Sequence, residues 1–499
     1  MNDSTADPIE RFFPPHPSFL YERIPVDLLC PNVETDTLLH LKLETKTAPE
    51  VFSANGEVEA EFEDGHLSLQ IRTDTPVAVK PEGKPFLLIK PQKPGGSRPP
   101  SGAEIFTPVA SEDGLQSEAI TQAMRTLSSR GGGVLSVPPG VYPVSTIEMQ
   151  SHVTLHLQKG AVLEATLDPD AYPVDPEGTL FEDLPNSLIP GPRRRVIYWY
   201  NCEYAALTGC GMITGQGSEY RRRTVGTPEG RPLINLMKFV KARQCRVEGV
   251  ILADSEFWNT HVCLSQDIIF DSVAVINERP PREWAAYLGD HAKSWFWNNT
   301  DGINPDSSQR IVIRNCLLHT GDDCVAVKNT GTFRNELRDI EEIEVHHNLM
   351  ICNTTPMKIG TETRGGTVAS VHFHHNMIPF CSRMFAAELK DGITLKNLRV
   401  ENITVADCNR PFDLEIIPRQ DEIDQKLFSH VNGVTLRNID IRRYRNEGQY
   451  WQSHIRGLDP AHTIKNVILS RIRLGAKDLN HLEDPDLVIN EFTDGVELS

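Results

Sequence analysis

Residues 297–328 read WNNTDGINPDSSQRIVIRNCLLHTGDDCVAVK. Two acidic clusters, Asn299-Thr300-Asp301 and Gly321-Asp322-Asp323, flank a β-branched run, Ile311-Val312-Ile313. Burying unpaired carboxylates is costly, so acids beside Gly and Asn at strand ends are either solvated turn residues or a site. The run between them is one copy of a motif, apolar-x-apolar-x-Asn or a polar substitute. It recurs as Arg246-Val247-Glu248-Gly249-Val250, Ile268-Ile269-Phe270-Asp271-Ser272, Ile343-Glu344-Val345-His346-His347 and Val371-His372-Phe373-His374-His375. Leu398-Arg399-Val400-Glu401-Asn402, Val434-Thr435-Leu436-Arg437-Asn438 and Val467-Ile468-Leu469-Ser470-Arg471 continue it. Most copies lie about 23 to 36 residues apart, with one longer gap around 274–300, which is the period of a parallel β-helix. Leucine-rich repeats would show LxxLxLxxN with a helix per unit, and a propeller would need four strands per period. Parallel crossovers are right-handed, so the expected fold is all-β, a right-handed parallel β-helix.

Asp301 and Asp322 are separated by close to one short coil, which would set them on adjacent rungs about 4.8 Å apart. Asp322 and Asp323 are neighbours, and both can reach one pocket only if the chain bends at Gly321. Three packed carboxylates cannot all ionise at ordinary values. One can keep its proton as a general acid while the others activate a water, as in glycoside hydrolysis. Inversion needs about 6.5 to 9.5 Å between acid and base and retention about 5 to 5.5 Å; one rung plus side-chain splay covers both.

These residues resemble the glycoside hydrolase family 28 polygalacturonase-like enzymes, which are right-handed parallel β-helices. The resemblance rests on Asn299 through Ser307 and on Gly321 through Lys328, with support from Ser255-Glu256-Phe257-Trp258-Asn259-Thr260-His261 and Asp113-Gly114 through Ala165. It covers roughly residue 108 to the C-terminus. It implies Asp322 as general acid, Asp301 and Asp323 as the pair that activates water, and an inverting outcome.

The chain also departs from that pattern. Where the family has a Gly-His-Gly turn, this sequence has Asn353-Thr354-Thr355-Pro356, so Thr354 or Thr355 takes the place of the His. Where the family has an Arg-Ile-Lys that grips a galacturonate carboxylate, this sequence has Glu388-Leu389-Lys390. Glu in place of Arg exchanges a bidentate cation for a like charge, which makes a neutral sugar such as rhamnose or galactose, or a differently bound uronate, plausible at that subsite. The candidate sugar contacts are Asn299, Lys328, Lys358, Glu362, Glu388, Lys390, Trp258 and Trp297, with Trp284 and Trp295 as further aromatic candidates. Lys358 is expected to offset Glu388.

The rest of the chain sets bounds. At 499 residues with a formal net charge of -18, the protein can bury a large core, and neither nucleic acid nor an anionic membrane is expected as its partner. Residues 1–105 alternate short β runs with turns and suggest a small antiparallel sandwich ending in a Pro/Gly-rich linker; residues 106–499 are the expected β-helix. A single helix, Ser117 to Arg130 followed by Gly131-Gly132-Gly133, suits a cap on the open end of the stack. Ten dispersed cysteines suit free buried thiols. His346, His347, His372, His374 and His375 are expected on solvent-facing strands rather than around a metal. No metal or cofactor is expected. The N-terminus shows no signal-peptide pattern, so a cytoplasmic location and exo action on short imported fragments are expected. A calcium-dependent polysaccharide lyase and a non-catalytic carbohydrate-binding solenoid are the competing readings.

Overall fold

The computed structural model describes residues 27–33, 37–56, 58–73, 75–84, 86–92, 98–174, 193–224, 233–277, 299–331, 333, 336–352, 354–417, 429–445 and 452–499. Thirty-one strands run in one continuous sheet in which each strand pairs with the equivalent strand of the next coil, almost always in parallel. The result is a right-handed parallel β-helix with three faces.

The recurring motif forms the first face. In Gln309–Arg314, Ile311 and Ile313 are fully buried while Val312 between them is partly exposed. Ile268/Phe270, Ile343/Val345, Val371/Phe373 and Leu398/Val400 stack in the same inward positions. Alternation along each strand thus becomes a column of apolar residues across strands. The polar residue that closes the motif has a backbone role: Ser272, Asn315, His347, His375, Asn402, Asn438 and Arg471 all have φ between 52° and 57°. This left-handed corner turns the chain from the first face to the second, and Asn tolerates it better than most side chains.

Helix Ser117–Ser129 covers the N-terminal end of the stack with Ile120, Met124 and Leu127 buried. The helix stops where Gly132 N donates to Leu127 O at 2.9 Å, next to Gly131 at φ 96°. Inside the helix, Trp199 stacks on Phe239 of the next coil with ring centroids 4.6 Å apart. All ten cysteines are free and buried.

Ahead of the helix, Asp27–Leu29, Glu50–Ser53, Val77–Lys80 and Leu87–Ile89 form a four-stranded sheet, and Thr37–Lys42, Ala60–Glu63 and His66–Ile71 form a three-stranded one. The three-stranded sheet is antiparallel, but Asp27–Leu29 runs parallel to Leu87–Ile89, so the expected purely antiparallel sandwich is corrected to a mixed one. Leu29, Leu39, Leu69, Val79 and Ile89 pack between the two sheets. The outer side of the four-stranded sheet presents Leu28, Phe52, Ala78 and Leu88 to Met212, Ile251, Ala274 and Leu349 on the second face of the β-helix. Lys90 Nζ donates to Gly249 O at 2.6 Å and the Arg443 guanidinium pairs with Glu50 across the same junction. The four-stranded sheet thus covers the second face at these coils.

Candidate active site

The aspartates lie at the corner between the second and third faces. Leu317–Thr320 ends the second-face strand of one coil and Val325–Asn329 begins its third-face strand. One coil earlier the second-face strand is Ala274–Ile276 and the third-face strand is Ile303–Asp306. Ile303 pairs with Val325, a step of 22 residues. Gly302 N donates to Asp323 O and Ile303 N to Cys324 O, both at 2.9 Å. It is therefore Asp323, one residue beyond the expected Asp322, that stacks in register on Asp301. The bend that separates Asp322 from Asp323 is held by Thr320 Oγ1 donating to Asp322 O at 2.7 Å.

Gly302 has no room for a side chain: a Cβ there would meet Cys324 O at 2.4 Å and Thr320 Cγ2 at 3.1 Å. Gly302→Ala is expected to cost about 1 to 3 kcal/mol by overpacking and to move Asp301 away from Asp323. Thermal unfolding together with turnover checks this; an unchanged midpoint would show that the corner has slack.

Asp301 and Asp323 are 2% and 3% exposed, while Asp322 is only half-buried. Each buried acid is anchored on one side. Asp301 Oδ2 accepts from Asn304 Nδ2 at 3.0 Å and lies 3.4 Å from Lys328 Nζ. Asp323 Oδ1 accepts from Thr355 N at 3.1 Å, and its Oδ2 lies 3.0 Å from Lys358 Nζ. Burial, only partly offset by Lys328 and added to by the Asp323 charge, lifts Asp301 to about 6. Asp322 is pushed well above the carboxylate range, first by burial and then by the Asp323 and Asp301 charges.

From this corner a chain of charges of alternating sign crosses the third face. Lys328 Nζ is 2.8 Å from Glu362 Oε2; Lys358 Nζ is 3.6 Å from Glu388 Oε2; Arg383 Nη1 is 2.8 Å from Glu388 Oε1 and 2.6 Å from Asp413 Oδ2. Asp413 is held further by Arg410 and by His454 Nδ1 at 3.0 Å. Each of Lys328, Lys358 and Arg383 thus joins two carboxylates. Burial would lower Lys328, but Glu362 and Asp301 hold it above an ordinary lysine. Burial would likewise raise Glu388, but Arg383 and Lys358 overcome it and hold Glu388 at about 2.

Several candidates from the sequence take on different roles here. Trp258 is not a sugar-stacking wall: it is 2% exposed, stacks on Phe257 at 4.9 Å, and its ring lies 4.6 Å from Lys328 Nζ. It supports the lysine through the face of its π system. Glu388 does not stand as an unmatched negative charge, because Lys358 and Arg383 both face it. Of Thr354 and Thr355, expected where the family has its His, Thr355 touches the corner: its backbone N–H donates to Asp323, while its hydroxyl accepts from Arg383 Nε at 3.1 Å. Lys390 is partly exposed, with its backbone N donating to Thr363 Oγ1 at 3.3 Å. Asn299 is partly exposed. Trp297, Trp284 and Trp295 lie outside the described residues.

Arg383 and Asp413 were missed from the sequence. Arg383 precedes Glu388 by five residues in a single long strand, Met377–Leu389, and only a change in how that strand bends brings it back beside Glu388. Asp413 had a readable signal: in Phe412-Asp413-Leu414-Glu415-Ile416 two acids alternate with buried apolar residues, so both acids share one face.

Comparison with known proteins agrees with this arrangement. The profile of Glycosyl hydrolases family 28 matches residues 177–445, a span that contains every residue of the corner. A probable polygalacturonase of Vitis vinifera is 30% identical over 224 residues, 43% of this chain and 41% of that protein. The chain therefore spans about two fifths of the length of that relative. The family 28 exopolygalacturonase of Yersinia enterocolitica superposes with a TM-score of 0.58 at 15% identity, over 87% of this chain and 85% of that one. The exopolygalacturonase of Thermotoga maritima superposes with a TM-score of 0.53 at 21% identity, over 81% and 92%. At these identities the two structures establish a shared fold. With the two aspartate motifs stacked on adjacent coils inside the matched span, the chain belongs to glycosyl hydrolases family 28.

Proposed function

We propose that the protein hydrolyses a glycosidic bond in a pectin-type oligosaccharide, galacturonan or rhamnogalacturonan, by inversion and from a chain end. The carrying observation is the unequal environment of the three aspartates. Asp322, the most exposed, keeps its proton at neutral pH and donates it to the glycosidic oxygen. Asp301 and Asp323, buried and each anchored through one side of its carboxylate, accept the proton of the water that attacks the anomeric carbon from the opposite side. Lys328 Nζ, 3.4 Å from Asp301, and Lys358 Nζ, 3.0 Å from Asp323, place one ammonium beside each of these two carboxylates. Exo action is supported by connectivity: at this same corner the strands Ala161–Ala165 and Arg193–Tyr200, Met212–Thr214 and Leu233–Val240, and Ala274–Ile276 and Ile303–Asp306 are each joined by a long stretch of sequence, and added chain at such a place can close a groove into a pocket.

The subsite across the third face favours a neutral sugar. A uronate needs a cation that is not already committed; among the described residues Lys328, Lys358 and Arg383 each face two carboxylates, which leaves the partly exposed Lys390 as the cation of this face that a uronate would have to use. A panel of rhamnose-ended, galactose-ended and galacturonate-ended oligosaccharides, with the first-formed anomer read by proton NMR, tests both readings. Retention of configuration would refute the inverting assignment, and unsaturated products would establish a lyase. Equal turnover on galacturonate-ended chains would remove the neutral-sugar preference.

The electrostatics also set a pH profile. Below about pH 6, the value of Asp301, a proton on that carboxylate blocks water activation, so kcat/KM should fall roughly tenfold per pH unit on that limb. The alkaline limb reports loss of the Asp322 proton and lies above the usual carboxylate range. A rate that kept rising with acidity below about pH 5 would exclude Asp301 from the base role.

A further inference from the structure

The first face carries a second polar cluster on the outside of the stack, away from the aspartate corner. Glu344 pairs in register with His372 of the next coil, and His374 with Glu401 of the one after. Residues two apart on a strand point the same way, so these side chains project outward together. Alternation placed the histidines there as expected, but adjacent coils bring them much closer than solvated surface residues need to be. His374 Nε2 lies 3.1 Å from Glu344 Oε1, His372 Nε2 lies 3.0 Å from Glu401 Oε2, and the two imidazole rings have centroids 4.1 Å apart. One donor atom from each of Glu344, His372 and His374 falls within 4.8 Å of the others.

We propose that Glu344, His372 and His374 form a binding site for a first-row transition-metal dication, Zn2+ in particular, that joins two successive coils. Two imidazoles and one carboxylate are a borderline-soft donor set that suits Zn2+ and not Ca2+ or Mg2+, which take oxygen ligands. A fourth position is left for water or Glu401. The proton arrangement supports the assignment. His374 Nδ1 is 2.8 Å from His375 Nδ1, so when Nε2 holds the metal, Nδ1–H can donate to His375, the outer hydrogen bond that metal-bound imidazoles usually have. His372 is restrained by Arg399, whose Nη2 donates to His372 Nδ1 at 3.2 Å and so places the imidazole proton on Nε2. Metal binding through Nε2 requires that proton to move to Nδ1 and Arg399 to withdraw, and the Arg399 side chain is 55% exposed and able to do so. Arg399 is thus a competitor, as a cation and as a donor.

The test is calorimetric titration of the full, untagged, chelator-stripped chain with ZnCl2, alongside its thermal midpoint. The expected result is one ion per chain, not displaced by a large excess of Ca2+ or Mg2+, with a raised midpoint. His374→Ala should weaken binding at least about tenfold and remove the midpoint shift, Glu344→Gln should weaken it less, and Arg399→Ala should tighten it. No zinc binding by the wild type, or the same affinity in His374→Ala, overturns the proposal. So does binding that survives in His374→Ala but is lost in Asp301→Asn, which would place the ion at the aspartate corner.

Discussion

Asp322→Asn is expected to lower kcat by about a thousandfold or more on any oligosaccharide the wild type cleaves, with little change in KM. Asparagine keeps the shape of the carboxylic acid and cannot deliver its proton to the departing oxygen. Because the Asp322 carboxyl is held protonated by burial and by the Asp323 and Asp301 charges, the neutral amide matches the resting state in charge, and folding should be unaffected. The same substitution at Asp301 or Asp323 removes part of the base instead. Double replacement of Asp301 and Asp322 should then cost far less than the product of the two single losses, since either alone already stops the concerted proton transfers. Turnover by Asp322→Asn at the wild-type rate would show that the proton comes from elsewhere, and would leave the fold assignment intact while removing the mechanism.

The fold was legible because its cause is local and repeated. Each Ile311-Val312-Ile313-like run encodes one inward pair, and the Asn315-like residue after it encodes one left-handed corner, so coil after coil could be read from a few residues. The aspartate corner was legible for a related reason, because both of its motifs are contiguous in sequence. What failed was register at single-residue precision. Asp301 stacks on Asp323 and not on Asp322 because the coil there is 22 residues long, a length set by how Thr320 and Gly302 pack the turn, which composition does not reveal. The Trp258 side chain was misread because its exposure is set by what packs on it across coils, here Phe257 beside it and Lys328 reaching it from two coils on. Arg383 was invisible because its partner, Glu388, lies on its own strand beyond an irregular stretch, and strand alternation predicts opposite faces for residues five apart.

Lys358→Met should be the most destabilising single change in the charge chain. Lys358 Nζ lies 3.0 Å from Asp323 and 3.6 Å from Glu388. Burial alone would lower it, but Asp323 and Glu388 raise it well above an ordinary lysine. Removing the ammonium takes away the cation that lies between Asp323 on one coil and Glu388 two coils on, and leaves Glu388 with Arg383. Breaking one partner of a buried pair costs about 3 to 5 kcal/mol, where removing both partners can be nearly neutral. Denaturant unfolding should therefore show a large loss for Lys358→Met and recovery of much of it in Lys358→Met/Glu388→Gln, since Arg383 then serves Asp413 alone. Activity should not recover with stability. In either variant Asp323 has lost the ammonium 3.0 Å from its Oδ2 that fixes where this carboxylate points, so kcat should stay low even where stability returns. A Lys358→Met protein as stable as the wild type would mean that neither Asp323 nor Glu388 depends on the lysine for its place in the fold. A wild-type kcat in a correctly folded double variant would assign water activation to Asp301 without help from Asp323.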